Sequence, residues 1–401
     1  MSISQKVRSG AGLPDSKKIV ITRTAAYFFT SLSLGLAVAV LGPTLPGLAE
    51  QTGVKLSRIS YLFTAHSFGY LLGSLVGGRL YDRIPGRPVV VSALFTIMIM
   101  MVCVPFIPAL YLLVVVMVVV GTAGGMLDVG CNILLVWVHG SRVAPFMNGL
   151  HFCFALGAFI SPLIVGRVIS STGDINWAFR VLALILFPSV VFLSSISAPE
   201  IKTHTRDKES KRGDYFLVGI ISFFFFLHVG GELAFAGWIY TYAYTLGLAD
   251  KIVAAYLTSA FWGSLTVGRL LGIPVAARVK PQYILIYGLA GCVLGPCIIL
   301  IYSRSAAALW TGTIITGFSM ASLFPMTITF SERHLHLTGK ITSMFLAGAS
   351  IGSMFLPWFV GQFFESIGPR VTMVIIIIAY AFALGVFLFV VNYTRKKELK
   401  V

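Results

Sequence analysis

Runs of about twenty mostly apolar residues, each closed by glycine, proline or a charge cluster, recur along this chain and restrict it to folds that lay helices across a bilayer. An α-helix needs about twenty residues to cross ~30 Å of hydrocarbon. The runs lie near 20-46, 58-80, 88-107, 110-137, 144-169 and 177-197, then near 215-246, 252-275, 281-302, 306-331, 338-363 and 370-393. Only 11% of the 401 residues are charged and 57% are hydrophobic, where a soluble chain carries roughly 25% charged residues. A membrane β-barrel would alternate apolar and polar positions over about ten residues. Runs such as Val374 to Ile378 do not alternate.

The polar stretch Pro199 to Asp214 divides these runs into six and six. The expected fold is therefore all-α and integral to the membrane: twelve transmembrane helices in two pseudo-symmetric six-helix bundles, 1-198 and 215-401, joined by a cytoplasmic linker, 199-214. The net charge of +16 does not point to nucleic acid, because the basic residues sit in loops and at helix ends. Of the 30 Lys and Arg, Lys55, Arg58, Arg167, Arg180, Lys251, Arg304 and Arg370 fall on one side, leaving 23 on the side of both termini and the linker. Positive charge is retained in the cytoplasm, so both termini are expected there. The segment up to Lys18 is polar and basic, without an apolar stretch and small-residue cleavage site. No removable signal peptide is expected, and the first span itself directs insertion. The cysteines all lie inside apolar runs and read as packing residues.

An internal repeat supports the two-half reading. Gly73-Ser74-Leu75-Val76-Gly77-Gly78-Arg79-Leu80 in the second run recurs as Gly263-Ser264-Leu265-Thr266-Val267-Gly268-Arg269-Leu270 in the eighth. Ala155-Leu156-Gly157, Pro162 and Gly166 in the fifth run match Ser350-Ile351-Gly352, Pro357 and Gly361 in the eleventh. Small residues at matching depth let helix backbones approach closely.

Twelve of the 14 Asp and Glu lie in loops or at helix ends, leaving Asp128 in the fourth run and Glu232 in the seventh. An acid at the centre of a membrane helix costs about 2.5–3.5 kcal/mol on insertion scales and usually marks a pathway or relay. Asn132 follows Asp128 by one turn on the same face. Together they offer oxygens suited to a sodium ion, a sugar hydroxyl or a proton; the plainer reading is a carboxyl bonded to a neighbouring helix. His228 precedes Glu232 by one turn, and either is a candidate proton carrier. Gly230 and Gly231 beside them suggest a bend or unwound turn. Asn148 and His151 add polar groups on the fifth run, His66 is a weaker candidate, and Trp238, Tyr242 and Trp262 are rings on which a sugar's C–H face would stack.

The loop Gly78-Arg79-Leu80-Tyr81-Asp82-Arg83-Ile84-Pro85-Gly86-Arg87 resembles the signature of the major facilitator superfamily. Asp82 there is able to pair with Arg79, Arg83 and Arg87, and with a neighbouring helix N-terminus, so Gly78, Arg79, Asp82, Arg83, Arg87 and the repeat's Arg269 are expected to form a latch between the halves. Leu127-Asp128-Val129-Gly130-Cys131-Asn132, the stretch Ala144 to Phe159, and Gly230-Gly231-Glu232 with Tyr240-Thr241-Tyr242 are similar to the sodium-dependent glucose transporter branch of that superfamily. More distantly they resemble the fucose and glucose/galactose permeases.

This resemblance implies cation-coupled uptake of a hexose-type sugar, with sodium or a proton as the coupling ion and no other cofactor; likeness to the permeases implies a proton-coupling role for Asp128, while the oxygens of Asp128 and Asn132 make them candidate sodium ligands. The permeases carry a second acid in their first helix, where Val38-Ala39-Val40-Leu41-Gly42-Pro43 has none. The Arg and the Gly-Pro motif of drug antiporters are also missing. A proton-coupled drug or metabolite antiporter and a lipid or lysolipid transporter remain as alternatives. No P-loop occurs, and no enzymatic activity is expected. The expected partners are a small solute and the lipid of a plasma or bacterial inner membrane, without nucleic acid, for a chain acting as a monomer.

Overall fold

A computed structural model describes residues 17–196, 214–335 and 337–398. The expected linker falls outside the described residues except for Asp214. The first span comprises Lys17–Ala39 and Leu41–Thr52, and the second Leu56–Ile59 and Tyr61–Tyr81. The third is Gly86–Cys103, the fourth Leu110–His139, the fifth Ala144–Thr172 and the sixth Asn176–Ser195. In the second half the spans are Tyr215–Thr245, Lys251–Ala276, Pro281–Ile301, then the broken tenth, Ala306–Met320 and Leu323–His334, and finally Gly339–Phe364 and Val371–Glu398. Among the described residues eleven spans are long and apolar enough to cross a membrane. The eighth, Lys251–Ala276, has the length at 26 residues but carries Thr258, Ser259, Ser264, Thr266 and Arg269, which dilute its apolar character.

Local chemistry sets the starts and the breaks. Asp214, Asp250, Ser305 and Thr338 accept from backbone N–H groups three residues on, at Leu217, Val253, Ala308 and Ile341. Each satisfies a donor that a helix start leaves open. The first span breaks after Ala39 and the tenth after Met320. Pro43 and Pro325 lie four residues beyond Ala39 and Ala321, and lack the N–H that would bond back to those carbonyls. Proline alone is not sufficient, since Pro162 and Pro357 sit inside continuous helices.

The matched small residues do matched work. A Cβ on Gly157 would collide with the carbonyl of Leu32 in the first span, and one on Gly352 with the carbonyl of Phe226 in the seventh. Gly69 and Gly73 of the second span likewise lie against the carbonyls of Val118 and Thr122 in the fourth. The seventh span is a continuous helix through Gly230 and Gly231, so the unwound turn offered for this pair does not form: the missing side chains admit the carbonyl of Gly352 and the ring of Tyr380.

The two bundles meet through the second span against the eleventh, the fifth against the eighth, and Leu41–Thr52 against the seventh. Gln362 Nε2 donates to the Ser57 carbonyl at 2.9 Å and to Ser60 Oγ at 3.3 Å. Thr64 Oγ1 donates to the Met354 carbonyl at 2.9 Å, and Ser67 Oγ to that of Ser353 at 3.2 Å. Gly42 backs onto Ala236 and Gly237, and Gly166 onto Ala255. All of these ties lie away from the face bearing Arg83, Arg278 and Lys396, called here the basic face. The far face is thus sealed, while Asn148 and His151 are exposed on the basic half of the fifth span.

Candidate functional site

Asp128 is half-buried in the fourth span. Its Oδ2 accepts from the hydroxyl of Tyr70 at 2.6 Å and its Oδ1 from Asn132 Nδ2 at 3.2 Å, while the same amide also donates to the Asp128 carbonyl at 2.8 Å. Each carboxylate oxygen thus already holds one donor. Each oxygen keeps lone pairs for a cation. The i,i+4 spacing accounts for the Asp128–Asn132 pair, and the close glycine contacts of the second and fourth spans bring Tyr70 to the same place.

Glu232 stands in the seventh span with 13% of its side chain exposed, and its Oε2 lies 4.0 Å from Nε2 of the fully buried His228. Neither ring nitrogen of His228 has a hydrogen-bond partner among the described residues. Tyr380 packs beside this turn, donating its hydroxyl to the His228 carbonyl at 3.0 Å. Arg269 of the eighth span, expected among the latch residues, is within electrostatic reach of Glu232 and His228. It also acts on His151 of the fifth span, which feels Asp128 in turn. Ionisable groups thus stand inside the spans of both bundles, Asp128 and His151 in the first and Glu232 and Arg269 in the second.

The aromatic candidates separate by depth. Trp262 lies edge-on to Phe154 of the opposite bundle with ring centres 6.5 Å apart. Trp238 is fully buried in the far-face seal, stacked on Phe364 at 4.8 Å and donating Nε1 to the Pro357 carbonyl at 2.8 Å. Tyr242 is also fully buried, one turn farther out, its hydroxyl without a hydrogen-bond partner among the described residues. Asn148 lies one turn before His151 at the open side. His66 lines a small internal void against Phe179 and Val120. Arg79 in the last turn of the second span and Asp82 and Arg83 in the loop after it are exposed, and Arg87 at the start of the third span donates to the carbonyl of Ser194 at the end of the sixth.

Tyr70 and Tyr380 escaped sequence reasoning. A tyrosine inside an apolar span carries a hydroxyl that must find a partner, and that demand was their only signal. Helix phase alone decided what each would meet.

Residues 27–357 match the Major Facilitator Superfamily. The sodium-dependent glucose transporter 1 of Danio rerio is 32% identical over 82% of this chain and 62% of its own length. The chain thus spans less than two thirds of that relative. The sodium-dependent glucose transporter 1A of Mus musculus is 29% identical over 82% of this chain and 87% of its own. Among solved structures, a nucleoside transporter superposes with a TM-score of 0.75 at 13% identity, covering 93% of this chain and 99% of that one. A D-xylose–proton symporter gives 0.71 at 14%, covering 91% and 97%. The twelve spans, the two bundles meeting across a sealed face and the family match agree: this chain is an integral membrane transporter, not an enzyme, and belongs to the Major Facilitator Superfamily.

Proposed function

We propose that this protein is a cation-coupled symporter of a hexose-type sugar, working by alternating access as residues 1-198 rock against 215-401. The observation that carries the reading is the pair of carboxylates inside the spans, Asp128 held by Tyr70 and Asn132 in one bundle and Glu232 beside His228 in the other. Asp128 and Asn132 are the site of the coupling cation, sodium or a proton, with the Tyr70 hydroxyl bonded to the same carboxylate. Glu232 takes the sugar's hydroxyls, for which a carboxylate is a strong acceptor. The names of the relatives, sodium-dependent glucose transporters, support a cation-coupled sugar as the cargo and say nothing of these residues.

The seal in this conformation lies on the far face, so the site communicates with the basic face. With the basic face cytoplasmic, as its excess of Lys and Arg favours, this is the releasing state of an uptake cycle. The exposed Arg79, Asp82 and Arg83 fit a latch that is undone here and closes when the far face opens.

The test is uptake of a panel of radiolabelled hexoses into proteoliposomes, with sodium and proton gradients imposed separately. The reading expects concentrative uptake of at least one hexose under one gradient, abolished by Asp128→Asn. Unchanged concentrative uptake in that variant, or no hexose uptake under either gradient, would overturn it.

A further inference from the structure

On the membrane-facing surface, away from the gap between the bundles, residues of the seventh and twelfth spans line a groove of about 760 Å³. Its walls are apolar, formed chiefly by Ile220, Phe223, Ile378, Phe382 and Phe389. Its floor is made by Gly219 and Gly385, both exposed. A Cβ at either glycine would meet nothing within 4 Å. These two are therefore unlike Gly157 or Gly352, where a carbonyl of another helix fills the space. Close packing of protein does not account for them.

The groove has a length and a polarity. From Ile378 to Phe389 the helix rises about 16 Å at 1.5 Å per residue, roughly half of a ~30 Å hydrocarbon core. It thus spans one leaflet. With 3.6 residues per turn, positions seven apart share a face. The stripe of Ile378, Phe382, Gly385 and Phe389 continues into exposed Asn392 and Lys396, and that of Ala381 and Leu388 into exposed Arg395. The apolar groove thus ends beneath two cations and an amide at the basic face. Asp214, at the same rim, is already engaged by the Tyr393 hydroxyl and the Leu217 N–H.

We infer that this groove is a binding site for an anionic phospholipid of the basic-face leaflet, one acyl chain lying between the seventh and twelfth spans with its phosphate at Arg395 and Lys396. The cationic end is what selects this occupant. A phosphate brings charge complementary to the exposed Arg395 and Lys396, which an uncharged sterol or the apolar helix face of a second copy does not. The site does not depend on the transport reading above, because it faces lipid rather than the gap.

The experiment reconstitutes the protein in phosphatidylcholine vesicles containing phosphatidylglycerol, extracts it gently and counts retained phospholipid by native mass spectrometry. The wild type is expected to retain phosphatidylglycerol in preference to phosphatidylcholine. Gly385→Leu and Gly219→Leu, which fill the floor, are expected to lose the retained lipid. Arg395→Gln with Lys396→Gln keeps a bound chain but loses about fivefold of the preference for each charge removed. These two charges lie beyond the packed part of the helix, so that variant decides the matter if the leucine variants fail to fold. Undiminished retention in folded leucine variants, an unchanged preference in the charge variant, or a wild-type dimer that Gly385→Leu converts to monomer would each overturn the inference.

Discussion

The hydroxyl of Tyr70 donates to Oδ2 of Asp128 across 2.6 Å, tying the second span to the acid at the middle of the fourth. A hydrogen bond to an ionised carboxylate inside an apolar bundle is worth about 1.5–3 kcal/mol. It also competes with any cation for that oxygen. Tyr70→Phe is therefore expected to raise the apparent cation affinity, roughly tenfold for about 1.4 kcal/mol, measured as the cation concentration giving half-maximal hexose uptake. A weaker apparent affinity would mean that the phenol is itself a ligand.

The two carboxylates are expected to divide the work. Glu232→Gln should raise the half-saturating hexose concentration tenfold or more, with roughly 2 kcal/mol of charge-assisted bonding lost, and leave the cation dependence within about twofold. Asp128→Asn should abolish cation stimulation and preserve hexose counterflow. Equal damage to both parameters in both variants would refute separate roles.

Gln362 bridges the bundles at the far face through Ser57 and Ser60. Removing it in Gln362→Ala costs the sealed state about 1 kcal/mol, close to a fivefold shift toward a conformation open on that face. The readout is labelling of a cysteine at Ser67 by a membrane-impermeant maleimide from the far side, expected to be about fivefold faster. Unaltered labelling would show that these bonds do not set the equilibrium.

Gly157 and Gly352 are both backed by carbonyls of another helix. Gly157→Val or Gly352→Val should destabilise the folded protein by at least about 1–3 kcal/mol, the range for overpacking. Thermal unfolding in detergent should fall by several degrees, while Gly78→Ala, with nothing within 4 Å of the added Cβ, leaves it in place. Equal midpoints for all three would remove close packing as the reason for these glycines.

Much of this architecture was legible because a bilayer imposes its demands one span at a time. Run length, the isolated acids Asp128 and Glu232, and the i,i+4 companions Asn132 and His228 are local properties, and each is found where spacing put it. Gly230 and Gly231 misled for the opposite reason. A glycine pair permits either a bend or a close approach, and only the positions of Gly352 and Tyr380 decide between them.

The sequence by itself determined the number and order of the spans, the basic side and the two acids, since each follows from the cost of putting a given side chain in hydrocarbon. The tertiary structure alone decided that Tyr70 meets Asp128, that Tyr380 bonds the carbonyl of His228, that Trp238 belongs to the far-face seal, and that the far face is the closed one. Those relations depend on helix rotation and on which bundle surface touches which. Lipid solvates many rotations of an apolar helix almost equally well, so the choice among them is made by packing between helices.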